Sequence, residues 1–289
     1  MRTRVVPASD LKRAQREEWV DKNRRAYVKS GTAWIPVKDG YQYDCELEEK
    51  CAYSGPGYQM TGDIALIHGK RPAKEDIEKL AEWKKPSCIL YIKGYCGIKR
   101  IPDAEVLYGE PKEVLHRENG LFFILDPSKV MFAMGNRIEK MRMASFAKKD
   151  ERIADMFAGI GYFTIPAAAQ GACVHAMEIN PQSFNYLKRN IEKNNLSKRV
   201  FAECGDCRTL LKGEYDRAFM GHFNSVSMIP DVLVHMKKNS SLHVHTISPA
   251  CEEIEKACRD GGFEPLITVH RVKKYAPHKW HVVQDVILT

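Results

Sequence analysis

Asp155-Met156-Phe157-Ala158-Gly159-Ile160-Gly161 reads as the end of a buried strand running into a glycine-bearing turn, and its surroundings decide the architecture. Before and through it, Arg152–Phe157 has the apolar content of a strand, and Tyr162–Gln170 after it has helical spacing. The same alternation continues down the chain. Strands are predicted at Cys173–Ile179, Val200–Cys204, Tyr215–Met220 and Leu242–Ile247, and helices at Pro181–Asn194, Ser227–Met236 and Ala250–Asp260. Asn180 before Pro181 is a helix start signal, and Gly261-Gly262 a stop. Strands alternating with helices predict an α/β, Rossmann-like fold with a mostly parallel, doubly wound sheet. Two last β-like runs, Pro265–Val272 and Val282–Leu288, joined through Tyr275, Ala276 and Pro277, predict a terminal antiparallel hairpin.

The first half has a different rhythm. Ala8 to Ser30 predicts a polar helix carrying Lys12, Arg13, Arg16, Lys22, Arg24, Arg25 and Lys29, ending at Gly31. Short β-like runs follow at Ala33–Val37, Asp63–His68, Cys88–Ile92 and Leu121–Leu125, with a helix at Lys74–Trp83. The expected division is a smaller N-terminal α+β domain at 1–128, presenting RNA, and a cofactor-binding Rossmann-like domain at 129–289. Lysine and arginine outnumber the acids 45 to 37, a net charge of +8, which favours a polyanionic partner without specifying one. The basic helix is equally well read as a solvated face. Nine cysteines at irregular spacing form no disulfide framework and point to a reducing, cytoplasmic setting. Glycines, Pro166 and Glu178 interrupt the apolar stretch Met156–Ile179, so no membrane span is expected.

The glycine loop has candidate partners further along the chain. Glu178 ends the second strand, where an acid can accept from ribose hydroxyls, and Asp206 follows the third, within reach of an adenine amino group. A dinucleotide fingerprint would need glycine at Thr164, and the loop lacks the Lys-Ser/Thr of a phosphate-binding loop. S-adenosylmethionine, an adenosine without phosphates, fits better. The competing reading is a turn shaped only by helix–sheet packing.

Longer motifs resemble a known family. Glu118-Asn-Gly, Phe132, Gly135-Asn136-Arg-Ile-Glu139 and Asp155 through Pro166, with Tyr58-Gln-Met-Thr-Gly-Asp-Ile and Val272-Lys-Lys-Tyr-Ala-Pro, resemble tRNA enzymes that modify the guanosine just 3′ of the anticodon. The resemblance extends over almost the whole chain and implies a class I methyltransferase fold. One branch of that family comprises guanine-N1 methyltransferases, the other wybutosine-pathway aminocarboxypropyltransferases. The methyltransferases carry Asn-Leu-Pro or Asn-Pro-Pro after the fourth strand, whereas this chain has Met220-Gly221-His222. The transferase pattern Phe-Ser-x-Gly-Asn-x-x-Glu-Arg is approximated at 132–140, with departures at Ala133 and Lys140. The resemblance therefore implies transfer of the aminocarboxypropyl group of S-adenosylmethionine to C7 of 4-demethylwyosine in tRNA(Phe), releasing methylthioadenosine. It implies Glu139 and Arg100 as catalytic residues. The implied cofactor-binding set is Lys140, Asp155, Phe157, Gly159, Glu178, Asp206, Cys207, Met220 and Gly221. The expected partner is the anticodon stem-loop of tRNA(Phe), with a monomeric enzyme and no metal. A structural Arg100–Glu139 pair is the plainer alternative for those two residues.

Three other features have competing readings. Cys204-Gly-Asp-Cys207 has zinc-knuckle spacing without a second pair. His243 and His245 alternate on one strand face, as satisfied core or cleft histidines do. Arg271, Lys273, Lys274, Tyr275, His278, Lys279 and Trp280 suit phosphate contact and base stacking, or a lysine-protected hairpin edge. The alternatives to the transferase are a guanine-N1 methyltransferase and a non-catalytic RNA-binding protein with a Rossmann-like domain.

Overall fold

A computed structural model describes residues 1–48 and 53–289, which divide into two compact units, Met1–Ser54 and Gly55–Thr289. The boundary read from the sequence, 128/129, lies inside the second unit.

In the first unit β1 (Arg2–Pro7), α1 (Leu11–Ala14), β2 (Tyr27–Lys29), β3 (Thr32–Pro36) and β4 (Cys45–Glu46) build a four-stranded antiparallel sheet in the order β2-β3-β1-β4. The long basic helix predicted over Ala8–Ser30 is not formed: a 3-10 turn and four α-helical residues are all that remain of it. The segment has few apolar side chains, and they are buried only if the chain doubles back. Ala14, Val20 and Ile35 then form a small core, with Leu11 and Trp19 against it. Val20 bridges to Val37, and the Lys38 amide donates to the Trp19 carbonyl at 2.9 Å.

The second unit begins with β5 (Tyr58–Thr61), β6 (Ile64–His68), α2 (Lys74–Lys84), β7 (Cys88–Cys96) and β8 (Ile101–Gly109), then the hairpin β9 (Val114–Glu118) and β10 (Leu121–Leu125). The first four strands form one sheet in sequence order, with β6 and β7 parallel. Strand β8, not predicted, contains Pro102, Asp103 and Glu105, poor strand formers recruited by pairing with β7.

After α3 (Arg137–Phe146) the predicted alternation appears: β11 (Arg152–Asp155), α4 (Thr164–Ala169), β12 (Cys173–Glu178), α5 (Pro181–Lys193), β13 (Val200–Cys204), α6 (Cys207–Leu210), β14 (Tyr215–Met220), α7 (Ile229–Leu233), β15 (Met236–Ile247), α8 (Cys251–Asp260), β16 (Pro265–Ala276) and β17 (Lys279–Leu288). The sheet order is β13-β12-β11-β14-β15-β17-β16, parallel through β15 and antiparallel in the final hairpin. Strand alternation supplies both faces. Ile153, Val174, Ala176 and Phe219 enter one core with Ile165 and Leu187, whereas Ala154, Met177, Ala218 and Met220 enter the other with Val232 and Ile254. The first core also contains Leu66, Leu90, Phe123 and Leu125. Strands from before and after residue 128 thus share one interior, which is why no break falls there.

Polar side chains fix this junction. Asn190 of α5 is fully buried; its Oδ1 accepts from the Ile124 amide at 2.6 Å, and its Nδ2 donates to the Ile160 carbonyl at 2.9 Å. Asn194, one turn later, bonds both polar groups of the Phe122 backbone at 2.9 and 2.8 Å. Asn190→Ala leaves a buried amide and carbonyls without partners, so it should lower unfolding stability by about 3 kcal/mol in urea titration. Asn194→Ala, at a part-buried position, should cost less.

Candidate active site

The strand order reverses between β11 and β14, and the crevice beyond the carboxyl ends of these strands collects the side chains that matter. Asp155 is fully buried; its carboxylate accepts from the Thr164 hydroxyl at 2.6 Å and from the Phe157 amide at 3.4 Å. Burial pushes its pKa up to about 6, against the opposing pull of the Thr164 hydroxyl. Asp155 is therefore a brace across the loop rather than a surface of the crevice. Gly159 and Gly161 hold φ of +58° and +107°. A Cβ on Gly159 would lie 2.2 Å from the Tyr162 ring, and one on Gly161 2.5 Å from Ile165. Both glycines are required by the loop's own packing as well as by its backbone.

Glu178 reaches back across the sheet. Its two oxygens accept from the amides of Gly159 and Asn180, each at 2.7 Å, and burial raises its pKa despite those bonds. A carboxylate has about four acceptor positions, so capacity remains for ribose hydroxyls. Asp206 caps α6 and accepts from the Arg208 amide and Nε, both at 3.0 Å. That guanidinium holds its carboxyl below the usual range. Cys207 is buried against Met228, sulfur to sulfur 3.9 Å, and burial pushes its thiol up to about 12. Cys207 is thus an apolar wall, not a nucleophile. Phe157 stacks on His222, centroids 5.4 Å apart, and a Cβ on Gly221 would press within 3.0 Å of Phe163. The loop, the two carboxylates and the apolar Cys207 and Phe157 side chains therefore lie at the carboxyl ends of neighbouring strands β11, β12 and β13.

Other sequence candidates are placed differently. Lys140 is 1% exposed and donates to Glu118 at 2.9 Å, with its ammonium 4.1 Å from the Phe132 ring centre. Burial lowers its pKa while Glu118 opposes the shift. Glu139 is equally sealed, and the Arg142 guanidinium bonds both of its oxygens at 2.8 and 2.9 Å. Arg142 continues to Asp285, which bonds His243 at 2.6 Å; His243 in turn meets Arg217, itself bonded to Glu151. Glu139 and Arg100 are not joined. Arg100 lies over Tyr95 and against Met131, and its charge, after burial, helps to lower the His222 pKa.

Sequence reading missed several of these groups. In the sequence His222 signals only the residue it replaces; in the structure its Nδ1 accepts from the Asn224 amide at 3.2 Å. Arg142, four residues before Phe146 in an unassigned helix, gave no signal. Of the two strand histidines, His243 has both nitrogens partnered, whereas His245 bonds only His281.

Residues 114–265 match the family described as the TRM5/TYW2 methyltransferase domain. The chain belongs to that family. It is 33% identical over 242 residues to the tRNA(Phe) (4-demethylwyosine(37)-C(7)) aminocarboxypropyltransferase of Methanocaldococcus jannaschii, covering 80% of this chain and 97% of that protein. The enzyme of the same description from Pyrococcus horikoshii is 37% identical over 201 residues, 65% of this chain and 72% of the other. Among solved structures, P. horikoshii TYW2 in complex with MeSAdo superposes with a TM-score of 0.72 at 32% identity, covering 81% of this chain and 91% of that one. Trm5b from Pyrococcus abyssi matches 99% of both chains at a TM-score of 0.76, but at 22% identity this shows the fold alone. The family's class I methyltransferase fold is thus the one expected from the sequence.

The Asp155 environment makes a pH prediction. Its proton is held more tightly folded than unfolded, so the folded state is favoured below about pH 4 and that advantage disappears as pH rises through about 6. Above pH 6 the buried charge is a liability. Asp155→Asn retains an acceptor for Thr164 and should gain up to about 3 kcal/mol over the parent at pH 8, falling toward zero near pH 4. Urea unfolding of both proteins across that range measures the difference.

Proposed function

We propose that this chain transfers the 3-amino-3-carboxypropyl group of S-adenosylmethionine to C7 of 4-demethylwyosine, at the guanosine-derived position 3′ of the anticodon in tRNA(Phe). The observation that carries the reading is the match to the M. jannaschii aminocarboxypropyltransferase over 97% of its length, joined to a crevice shaped for adenosine. Met220-Gly221-His222 at the end of β14, where the methyltransferase branch carries an asparagine, supports it. The sulfonium supplies a carbon electrophile, and the carbon that reacts is the one held in line with the acceptor. Glu178, Asp206, Phe157, Gly159, Cys207, Met220 and Gly221 hold the adenosine end. Asp155 supports the loop from beneath. Lys140 acts on the cofactor through Phe132 and Glu118 rather than by contact.

Arg100 is assigned to stabilise charge beside His222, whose pKa it helps to lower after burial; its guanidinium lies over the Tyr95 ring. Glu139 is assigned a structural part: it holds the Arg142 guanidinium within α3, and Arg142 ties that helix to Asp285 of β17. RNA contact is assigned to the β16–β17 hairpin, where Lys273, Lys274, Tyr275 and Trp280 suit the anticodon stem-loop. The eight described cysteines are unpaired, and no described helix is long and apolar enough to cross a membrane. Free thiols are what a reducing compartment such as the cytoplasm maintains.

Incubation with S-adenosylmethionine should yield methylthioadenosine only with tRNA(Phe) carrying the tricyclic base. S-adenosylhomocysteine formed with unmodified-guanosine tRNA would instead identify a methyltransferase. Calorimetry on Glu178→Gln should show S-adenosylmethionine binding weakened on the order of ten- to a hundredfold, the loss of one charge-assisted hydrogen bond. Lys273→Ala and Lys274→Ala should each flatten the salt dependence of tRNA binding by roughly 0.7 to 0.9 in log–log slope.

A further inference from the structure

His245 and His281 face each other on paired strands β15 and β17, with His245 Nδ1 and His281 Nε2 2.9 Å apart. They are 2% and 1% exposed. The remaining ring nitrogens, His245 Nε2 and His281 Nδ1, are buried and have no hydrogen-bond partner. Whichever tautomers the pair adopts, one proton occupies the shared bond, one outer nitrogen keeps an N–H, and the other keeps a lone pair. A two-imidazole chain open at both ends is costly as mere packing, because each unmet polar group has lost its water. It is what proton transfer requires.

The pair borders the active crevice. His245 packs against Phe163, whose ring abuts Gly221, and His281 meets the edge of Phe223, two residues further along. Burial holds both imidazoles neutral, His281 at about 4 with Lys273 adding to the shift, and His245 well below its usual value. The obvious carboxylate base, Glu139, has both oxygens occupied by Arg142.

We propose that the His245–His281 pair takes up the proton that the acceptor ring carbon gives up after alkylation. The inference rests on the transfer reaction proposed above. In that reaction the acceptor carbon bonds to the γ-carbon of the methionine tail, and the bond from that carbon to sulfur breaks with its electrons remaining on sulfur. The cationic acceptor ring then restores its aromaticity by losing the proton on the alkylated carbon. His281 Nδ1 receives it as the Phe223 ring swings aside, and the charge is shared with His245 across the 2.9 Å bond until product release returns the proton to solvent. A weak base suffices, because a cationic ring carbon is a strong acid.

Three readings test this. In the protein alone, 15N spectra of the ring nitrogens should show two neutral imidazoles sharing one proton at pH 7, and His245→Asn should shift the His281 nitrogens; independent, uncoupled rings would overturn the relay. With tricyclic tRNA, His281→Ala and His281→Asn should bind S-adenosylmethionine and tRNA as the parent does, yet form product about a hundredfold more slowly in single turnover. Deuterium at the acceptor carbon should then slow the variants but not the parent, and added imidazole should rescue the alanine variant. Parent-like rates, or slowing without an isotope effect or rescue, would reduce the pair to a structural role; His281→Asn decides if the alanine variant does not fold. Should the parent form S-adenosylhomocysteine instead of methylthioadenosine, the reaction reading falls and the relay with it, whereas methylthioadenosine with unaffected variants removes the relay alone.

Discussion

Asn190 is the point on which the second unit depends. One fully buried amide bonds β10 through Ile124 and the cofactor loop through the Ile160 carbonyl. It thereby fixes the carbonyl between two glycines that hold left-handed conformations. Around this anchor the loop has little freedom. Tyr162 fills the space over Gly159 and donates its hydroxyl to the Met131 carbonyl, and the Gly159 amide is drawn to Glu178. The glycine loop is thus held by polar bonds to Asn190, Met131 and Glu178, from three directions.

A second network sits on the far side of α3. Glu139, Arg142, Asp285, His243, Arg217 and Glu151 form one continuous series of charged and polar contacts linking α3, β17, β15, β14 and the residue just before β11. Each buried charge there has an opposite or hydrogen-bonding neighbour, the condition under which burial is tolerated. Two residues further along the same strand, His245 has one ring nitrogen met by His281 and the other buried without a partner, whereas both nitrogens of His243 are bonded.

The parallel strands were legible because they are buried on both faces, and so read as short apolar runs between turn signals. The positions of Glu178 and Asp206 were legible from the strand–helix alternation: Glu178 ends β12, and Asp206 caps α6 two residues past the end of β13. Helix α3 was not, since its hidden face carries Glu139 and Lys140, which in sequence look like solvent residues. The predicted basic helix failed for the converse reason: helical spacing was read where a few apolar residues needed a reversing chain. Pairings were the least legible of all. Arg142 lies 143 residues from Asp285, and His245 36 from His281; the packing of α3 against β17 joins the first pair, and the adjacency of β15 and β17 the second.

The Lys140–Glu118 pair has a consequence for how these sequences can diverge. With both groups sealed from water and the ammonium resting on the Phe132 face, losing either partner strands a charge, whereas replacing both with apolar side chains of similar volume need not. Single steps away from the pair are therefore closed and double steps open. Across related chains the two positions should covary, passing between ionic and apolar forms together, and a chimera that mixes the two lineages at this junction should fold poorly even when each parent is sound.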